Sequence, residues 1–235
     1  MVLNFNLKLK QAIYINFVKD ARYLYIFDGL KNTLIITVFS VLIGIFFGFL
    51  FALIRNFCEY TGKLKFLNVI IKFFVVIVRG TPVILQLMIL FFCVFNFRGV
   101  NSVFVAIIGF GINSTAYVSE IFRAGFKSID KGQIEAGRSL GLNYFFCMRH
   151  IILPQAFKNV LPAICNEFVS LIKETSVAGY IAVQDLTKAG EIIKSRTYDA
   201  WTPLVCVALI YLILTYCLTC LSNCLERRFS KHERK

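Results

Sequence analysis

The chain has 235 residues, 58% of them hydrophobic, and a mean hydropathy of +0.72, whereas soluble domains run to roughly 45–50% apolar residues. A water-soluble fold could not hide that much apolar surface. The formal net charge of +13 does not read as a nucleic-acid footprint, because Lys and Arg cluster between the apolar runs, where basic flanks orient membrane helices.

Residues 1–26 interleave apolar groups with Lys8, Lys10, Lys19, Asp20 and Arg22, a pattern that suits an interfacial lead-in lying on a membrane. They lack the continuous apolar core and small-residue cleavage site of a signal peptide, so the first spanning helix is expected to direct insertion. Runs free of Asp, Glu, Lys and Arg cover 32–54, 99–119 and 200–225. Each exceeds the ~20 residues an α-helix needs to cross ~30 Å of hydrocarbon. They are apolar on every face, which excludes barrel strands alternating over ~10 positions.

Between these runs, residues 66–97 read as one apolar element broken at Arg79-Gly80-Thr81-Pro82. Residues 156–180 form a more polar helix carrying Asn166, Glu167, Lys173 and Glu174. Ionisable groups at membrane depth are costly unless they face a bundle interior or water. The fold class is therefore all-α and polytopic, with about five transmembrane helices in a domain over 27–226 and a basic tail over 227–235.

With the C-terminus cytoplasmic, fourteen basic residues fall on the inner side and nine on the outer, which favours that orientation. Cys93, Cys165, Cys206, Cys217, Cys220 and Cys224 lie in or beside apolar segments and read as packing residues rather than as disulfide or metal ligands.

The connection over about 125–155 reads as a compact helix-turn-helix knob. Asp130 followed by Gln133 has capping-box spacing, and Glu135 and Arg138 stand three apart on one face. Gly141 suits the C′ residue ending the first helix, Asn143 an N-cap opening the second, and Pro154 its stop.

This knob carries a family resemblance. Glu135-Ala136-Gly137, three residues, Gly141, nine residues, then Ile151-Ile152-Leu153-Pro154 resembles the EAA loop of ABC importer permeases, with Gly137 in place of the second Ala. Glycine costs about 1 kcal/mol of helix propensity relative to Ala, so a less rigid first helix is expected.

Gly29-Leu30-Lys31-Asn32-Thr33-Leu34, Arg79-Gly80-Thr81-Pro82 with Gln86, Ala116-Tyr117-Val118-Ser119-Glu120 with Arg123, and Lys173-Glu174-Thr175-Ser176 narrow the likeness. So do Gln133 before the loop motif and Leu161-Pro162 with Asn166. Together they resemble permeases of the histidine/glutamine/arginine type, over about residues 20–225.

The resemblance implies a MetI-like bundle in the bacterial inner membrane, paired with a second copy or a sister permease. It also implies ABC ATPase subunits and an extracytoplasmic amino-acid-binding protein as partners, with lipid around the helices and no nucleic acid. No cofactor is expected in this chain. ATP and Mg2+ would belong to the partner ATPase, in keeping with the lack of a G-x-x-x-x-G-K-[ST] loop.

Gln133, Glu135, Ala136, Gly137, Arg138 and Gly141 are then the ATPase-coupling residues. Arg138 and Arg149 fit either an acidic partner surface or lipid anchoring. Glu167 is a candidate counter-charge for a substrate ammonium or cationic side chain, or else a structural ion-pair partner, with Asn166 its neighbour. Gln86, Tyr117 and Glu120 complete the candidate pathway, Glu120 alternatively pairing with Arg123. Arg79, Gly80, Thr81 and Pro82 form a gate or hinge.

An importer for another small organic solute such as an opine shares this architecture. A membrane enzyme using His150 with Cys147 would need an orienting acid that the pattern does not supply. An ion-driven transporter would be expected to carry inverted repeats.

Overall fold

A computed structural model describes Lys8 and residues 10–230. Residues 1–7 and 9 of the lead-in and 231–235 of the basic tail lie outside the described residues. Helices, turns and short connections account for everything described, with no strand among these residues.

The chain order is α1 (Tyr23–Thr61), α2 (Lys65–Gly80), α3 (Val83–Ile89, prolonged by a π turn Leu90–Val94), α4 (Ser102–Lys127), α5 (Lys131–Ser139), α6 (Tyr144–Cys147) and a π turn Met148–Ile152. Then follow α7 (Leu153–Glu174), a 3-10 segment Thr175–Ile181, α8 (Leu186–Thr197) and α9 (Trp201–Ser230). Among the described residues, α1, α4 and residues Trp201–Cys224 of α9 are long and apolar enough to cross a membrane, and the α2–α3 pair makes up to four. The fifth long helix, α7, has 22 residues, about 33 Å at 1.5 Å each. Its Gln, Lys, Asn and Glu content keeps it outside the apolar set.

Helix α1 has 39 residues and outruns the charge-free stretch at both ends. Its flanking turns are held by contacts with other segments, Asn32 with Gln184 at one end and Arg55 with Glu120 at the other. Residues 16 and 22 of the lead-in make side-chain contacts within the first unit described below. Buried Asn16 donates to the Ala12 carbonyl at 2.9 Å and to Asp199 Oδ2 at 2.8 Å, while Arg22 donates to the Ile15 carbonyl at 2.8 Å and pairs with Asp20 at 2.7 Å.

The break at Thr81-Pro82 turns the α2–α3 element by 107°. Pro82 has no N–H to continue the ladder and pushes Thr81 into extended backbone, φ −119° and ψ 146°, as the residue before proline requires. Two helices therefore meet at the expected break.

Pro154 does not stop a helix. The backbone runs from Tyr144 to Glu174 as α6, the π turn and α7, with the Leu153 N–H reaching back to the Met148 carbonyl. The wider i→i+5 turn lets the chain carry the missing proline donor without ending.

Two compact units can be described separately. The first comprises residues up to Phe39, Ile84–Phe110 and Ser170–Cys217. Here Gly29 lets α1 approach the segment before α8: a Cβ at Gly29 would lie 2.7 Å from the Asp185 carbonyl oxygen. Asn32 Nδ2 donates to the Gln184 carbonyl at 2.9 Å, and the Leu186 N–H donates to Thr33 Oγ1 at 3.1 Å. Fully buried Asp185 caps α8 by accepting from the Thr187 and Lys188 N–H groups.

The second unit comprises Ser40–Val83, Gly111–Val169 and residues from Leu218 onward. Its core packs Ala52, Val118, Phe122, Phe126, Ile129, Met148, Ile152, Ala156 and Val160. A second cluster sets Ile71, Val75 and Val78 of α2 against Ala116 of α4.

Candidate coupling site and polar helix faces

The knob forms where the sequence pattern places it, with two departures besides the one at Pro154. Asp130 caps α5 by accepting from the Gly132 N–H at 2.9 Å, and Asn143 caps α6 by accepting from the Phe146 N–H at 2.8 Å. Between them, Gly141 takes φ +83°. Its N–H reaches the Arg138 carbonyl at 2.9 Å, and the Leu142 N–H reaches the Gly137 carbonyl at 3.1 Å. These are the two bonds of a Schellman stop, and glycine occupies its left-handed position at no steric cost.

The first departure concerns Gln133, whose side chain does not complete a capping box. It exchanges bonds with Gln155 at the start of α7, Gln155 Nε2 donating to Gln133 Oε1 at 2.6 Å, because the partner amide offers both a donor and an acceptor. The second concerns Arg138. Rather than answering Glu135 on its own helix, its guanidinium donates to the Tyr60 hydroxyl and lies over the Tyr60 ring, 5.8 Å from the centroid.

Gly137 has a local reason. A Cβ there would sit 2.8 Å from Cys147 Sγ and 3.4 Å from Ile151 Cδ1, so glycine lets α5 close onto α6. The close packing there gives a reason for glycine that helix propensity alone does not. Glu135 and Ala136 remain on the exposed side of α5.

Tyr144 is the centre of the knob's contact with α1. Its ring stacks on Tyr60 at 4.0 Å with 17° between planes, and its hydroxyl accepts from Asn56 Nδ2 at 3.0 Å. Burial, helped by the neighbouring Tyr60, pushes the Tyr144 hydroxyl up to about 12, so it stays protonated at any physiological pH.

Helix α4 carries a buried polar stripe of Asn113, Ser114, Thr115 and Ser119. Ser114 faces Gly44 of α1, where any side chain on the glycine would collide with it. Tyr117 lies under Arg79, with the guanidinium carbon 5.0 Å from the ring centroid, so the break in the α2–α3 element and α4 meet through a cation–π contact. Gly80, Thr81 and Pro82 are exposed around that break, and Thr81 Oγ1 donates to the Ile77 carbonyl at 2.9 Å.

Glu120 pairs with Arg123, as its spacing allows, and also with Arg55 of α1, whose side chain is only 5% exposed. The sequence reading missed Arg55. Its signal was present, as the first charge after a 23-residue apolar run, a position where a cation needs either water or a carboxylate.

Glu167 is half-buried and Asn166 exposed on α7, while Gln86 is half-buried on α3. Among the described residues no group of three or more His, Cys, Asp or Glu side chains is placed to hold a metal ion. His150 stacks on Phe146 at 4.1 Å and has its Nδ1 at 3.2 Å from that residue's carbonyl, so helix packing accounts for both of those contacts.

Long apolar helices interrupted by a capped, partly exposed helix pair define a multi-pass membrane protein. Residues 40–231 match the family of binding-protein-dependent transport system inner membrane components, and the chain belongs to that family, as an ABC-type permease.

It is similar to the arginine transport system permease protein ArtQ of Bacillus subtilis (strain 168), 37% identical over 89% of this chain and 94% of the relative. It is also similar to a putative glutamine transport system permease protein GlnP of Rickettsia bellii (strain RML369-C), 36% identical over 88% and 94%. The L-cystine transport system permease protein TcyB of Bacillus subtilis (strain 168) is 33% identical over 97% of each chain.

Among solved structures, an amino acid ABC transporter crystallised with histidines aligns at TM-score 0.81 and 35% identity, over 90% of this chain and 98% of that one. The MetNI methionine ABC transporter in an inward-facing conformation aligns at TM-score 0.75 and 22% identity, over 88% and 96%, a likeness of fold.

Proposed function

We propose that the chain is the permease of an importer that carries polar amino acids across the bacterial cytoplasmic membrane. A separate ATPase seats on α5 and drives the movement, and an extracytoplasmic binding protein delivers the substrate to a permease pair. The observation that carries this reading is the knob: a short α5 with Glu135 and Ala136 exposed, bounded by an Asp130 cap and a Schellman stop at Gly141. A helix so constrained moves as a body when the surface beneath it moves, and Gln133, Gly137, Arg138 and Gly141 hold its geometry. The excess of basic residues on the knob side supports a cytoplasmic C-terminus.

The substrate class rests on the relatives' transport of arginine, glutamine and cystine together with the polar content of α7. Glu167 lies thirteen residues beyond Pro154, about 20 Å along the helix. A carboxylate there favours a bound ammonium or guanidinium. Asn166 and Tyr117 are assigned to the same pathway, and the Arg79–Pro82 break acts as its gate. Glu120, held between two arginines, supports the pathway wall rather than the substrate.

The test is ATP-dependent uptake of labelled Arg, His, Lys, Gln and cystine in proteoliposomes holding the chain with its ATPase and binding protein. Cationic substrates are expected to accumulate. Glu167→Gln should lower their uptake relative to Gln by about tenfold, the loss of one charge contact of about 1.4 kcal/mol. Glu135→Arg should abolish uptake. Accumulation of none, with no ATPase retained on the purified chain, would overturn the reading.

A further inference from the structure

We infer that the last two turns of α1 form the lever through which the coupling knob acts on the membrane helices, with Tyr60 and Tyr144 as positioning residues and Arg138 as the latch. The inference rests on the coupling reading of α5. Residues four apart share a helix face, and residues 55–60 present two such faces about 100° apart.

On one face, Arg55 pairs with Glu120 and Glu59 stands 3.9 Å from Lys127, so this face grips α4 by charge. On the other, Asn56 donates to the Tyr144 hydroxyl at 3.0 Å and Tyr60 stacks on the Tyr144 ring at 4.0 Å. Phe57 lies beside the same ring at 6.2 Å.

Arg138 closes the arrangement from α5, donating to the Tyr60 hydroxyl and covering its ring. Arg138 is therefore turned toward α1. A displacement of α5 pulls Tyr60 through Arg138 and pushes Tyr144 through the α5–α6 turn. The same two turns of α1 hand the motion to α4 through Glu120. A bare docking helix needs none of these contacts, because caps and the Gly137–Cys147 packing already hold its shape.

The experiment uses the reconstituted full complex and reads uptake per ATP hydrolysed. Tyr60→Ala is expected to keep the ATPase bound and to lower that ratio by about tenfold, within the usual range of coupling between sites. Tyr60→Phe keeps the stack but removes the acceptor, so its loss should be smaller. Arg138→Gln should match Tyr60→Phe, and the double variant should be no worse than either single one, since both remove one contact.

An unchanged ratio in Tyr60→Ala, a proportional fall of uptake and hydrolysis, or multiplicative losses in the double variant would each overturn the lever. Should Tyr60→Ala fail to assemble, the Phe variant and the double-variant cycle decide alone. Failure of the underlying coupling reading would look different: Glu135→Arg would then leave uptake and ATPase retention intact.

Discussion

Helix α1 is held at two places by different physics. Around Gly29–Thr33 its partners are backbone groups: the Asp185 carbonyl against Gly29, the Gln184 carbonyl accepting from Asn32, and the Leu186 N–H donating to Thr33. Around Arg55–Tyr60 its partners are side chains, charged toward Glu120 and Lys127 and aromatic toward Tyr144. Backbone contacts demand small residues and fixed distances, which suits a permanent strap. Side-chain contacts reach further and exchange partners with a rotamer change, which suits a joint that moves. The difference separates a structural clamp from a transmitting one within a single helix.

The comparison is broken most sharply at the charged joint. Glu120→Gln leaves Arg55 buried without its carboxylate, and removing one partner of such a pair costs about 3 kcal/mol. A lowered thermal midpoint of the detergent-solubilised chain checks it, and adding Arg55→Met should recover part of the loss. At the strap, Gly29→Ala forces a Cβ to 2.7 Å from the Asp185 oxygen, and overpacking of this kind costs about 2 kcal/mol. The same measurement reads it, and the ratio of uptake to hydrolysis should stay constant in whatever fraction remains folded.

The smallest effect is expected at Asp185. Burial pushes its carboxyl from 3.8 up to about 6, against the lowering effect of the Thr187 and Lys188 N–H bonds. A raised folded value means the folded chain holds this proton more tightly than the unfolded chain. Stability is therefore gained as pH falls through about 6, is fully present below about 4, and is lost again on raising the pH. Asp185→Asn keeps the helix cap, which Asn supports as well as Asp. The difference in thermal midpoint between pH 5 and pH 7.5 should then shrink.

Much of this was readable from residue order. The helix ends at Asp130, Gly141 and Asn143 follow local rules that depend on a few neighbouring backbone groups, and so does the break at Pro82. The reading erred where a residue had a distant choice. Pro154 looked like a stop because local rules end a helix there, yet a π turn carried the chain through. Gln133 looked like half a capping box until Gln155, 22 residues on, offered a better partner. Arg138 looked like Glu135's partner by spacing, yet it donates to Tyr60, 78 positions away in the chain.

By itself the sequence determined that this protein lies in a membrane, that its helices are interrupted by a capped helix pair, and that this pair has the spacing of an importer's docking loop. Those properties follow from apolar run length and from caps, whose energies are set within a few residues. Only the tertiary structure decided that Glu120 answers Arg55 as well as Arg123, that Gly137 exists for Cys147, and that Tyr60, Tyr144 and Arg138 close on one another. A long polar side chain at a helix end has many partners within reach. Which one it takes depends on distances that exist only once the helices have packed.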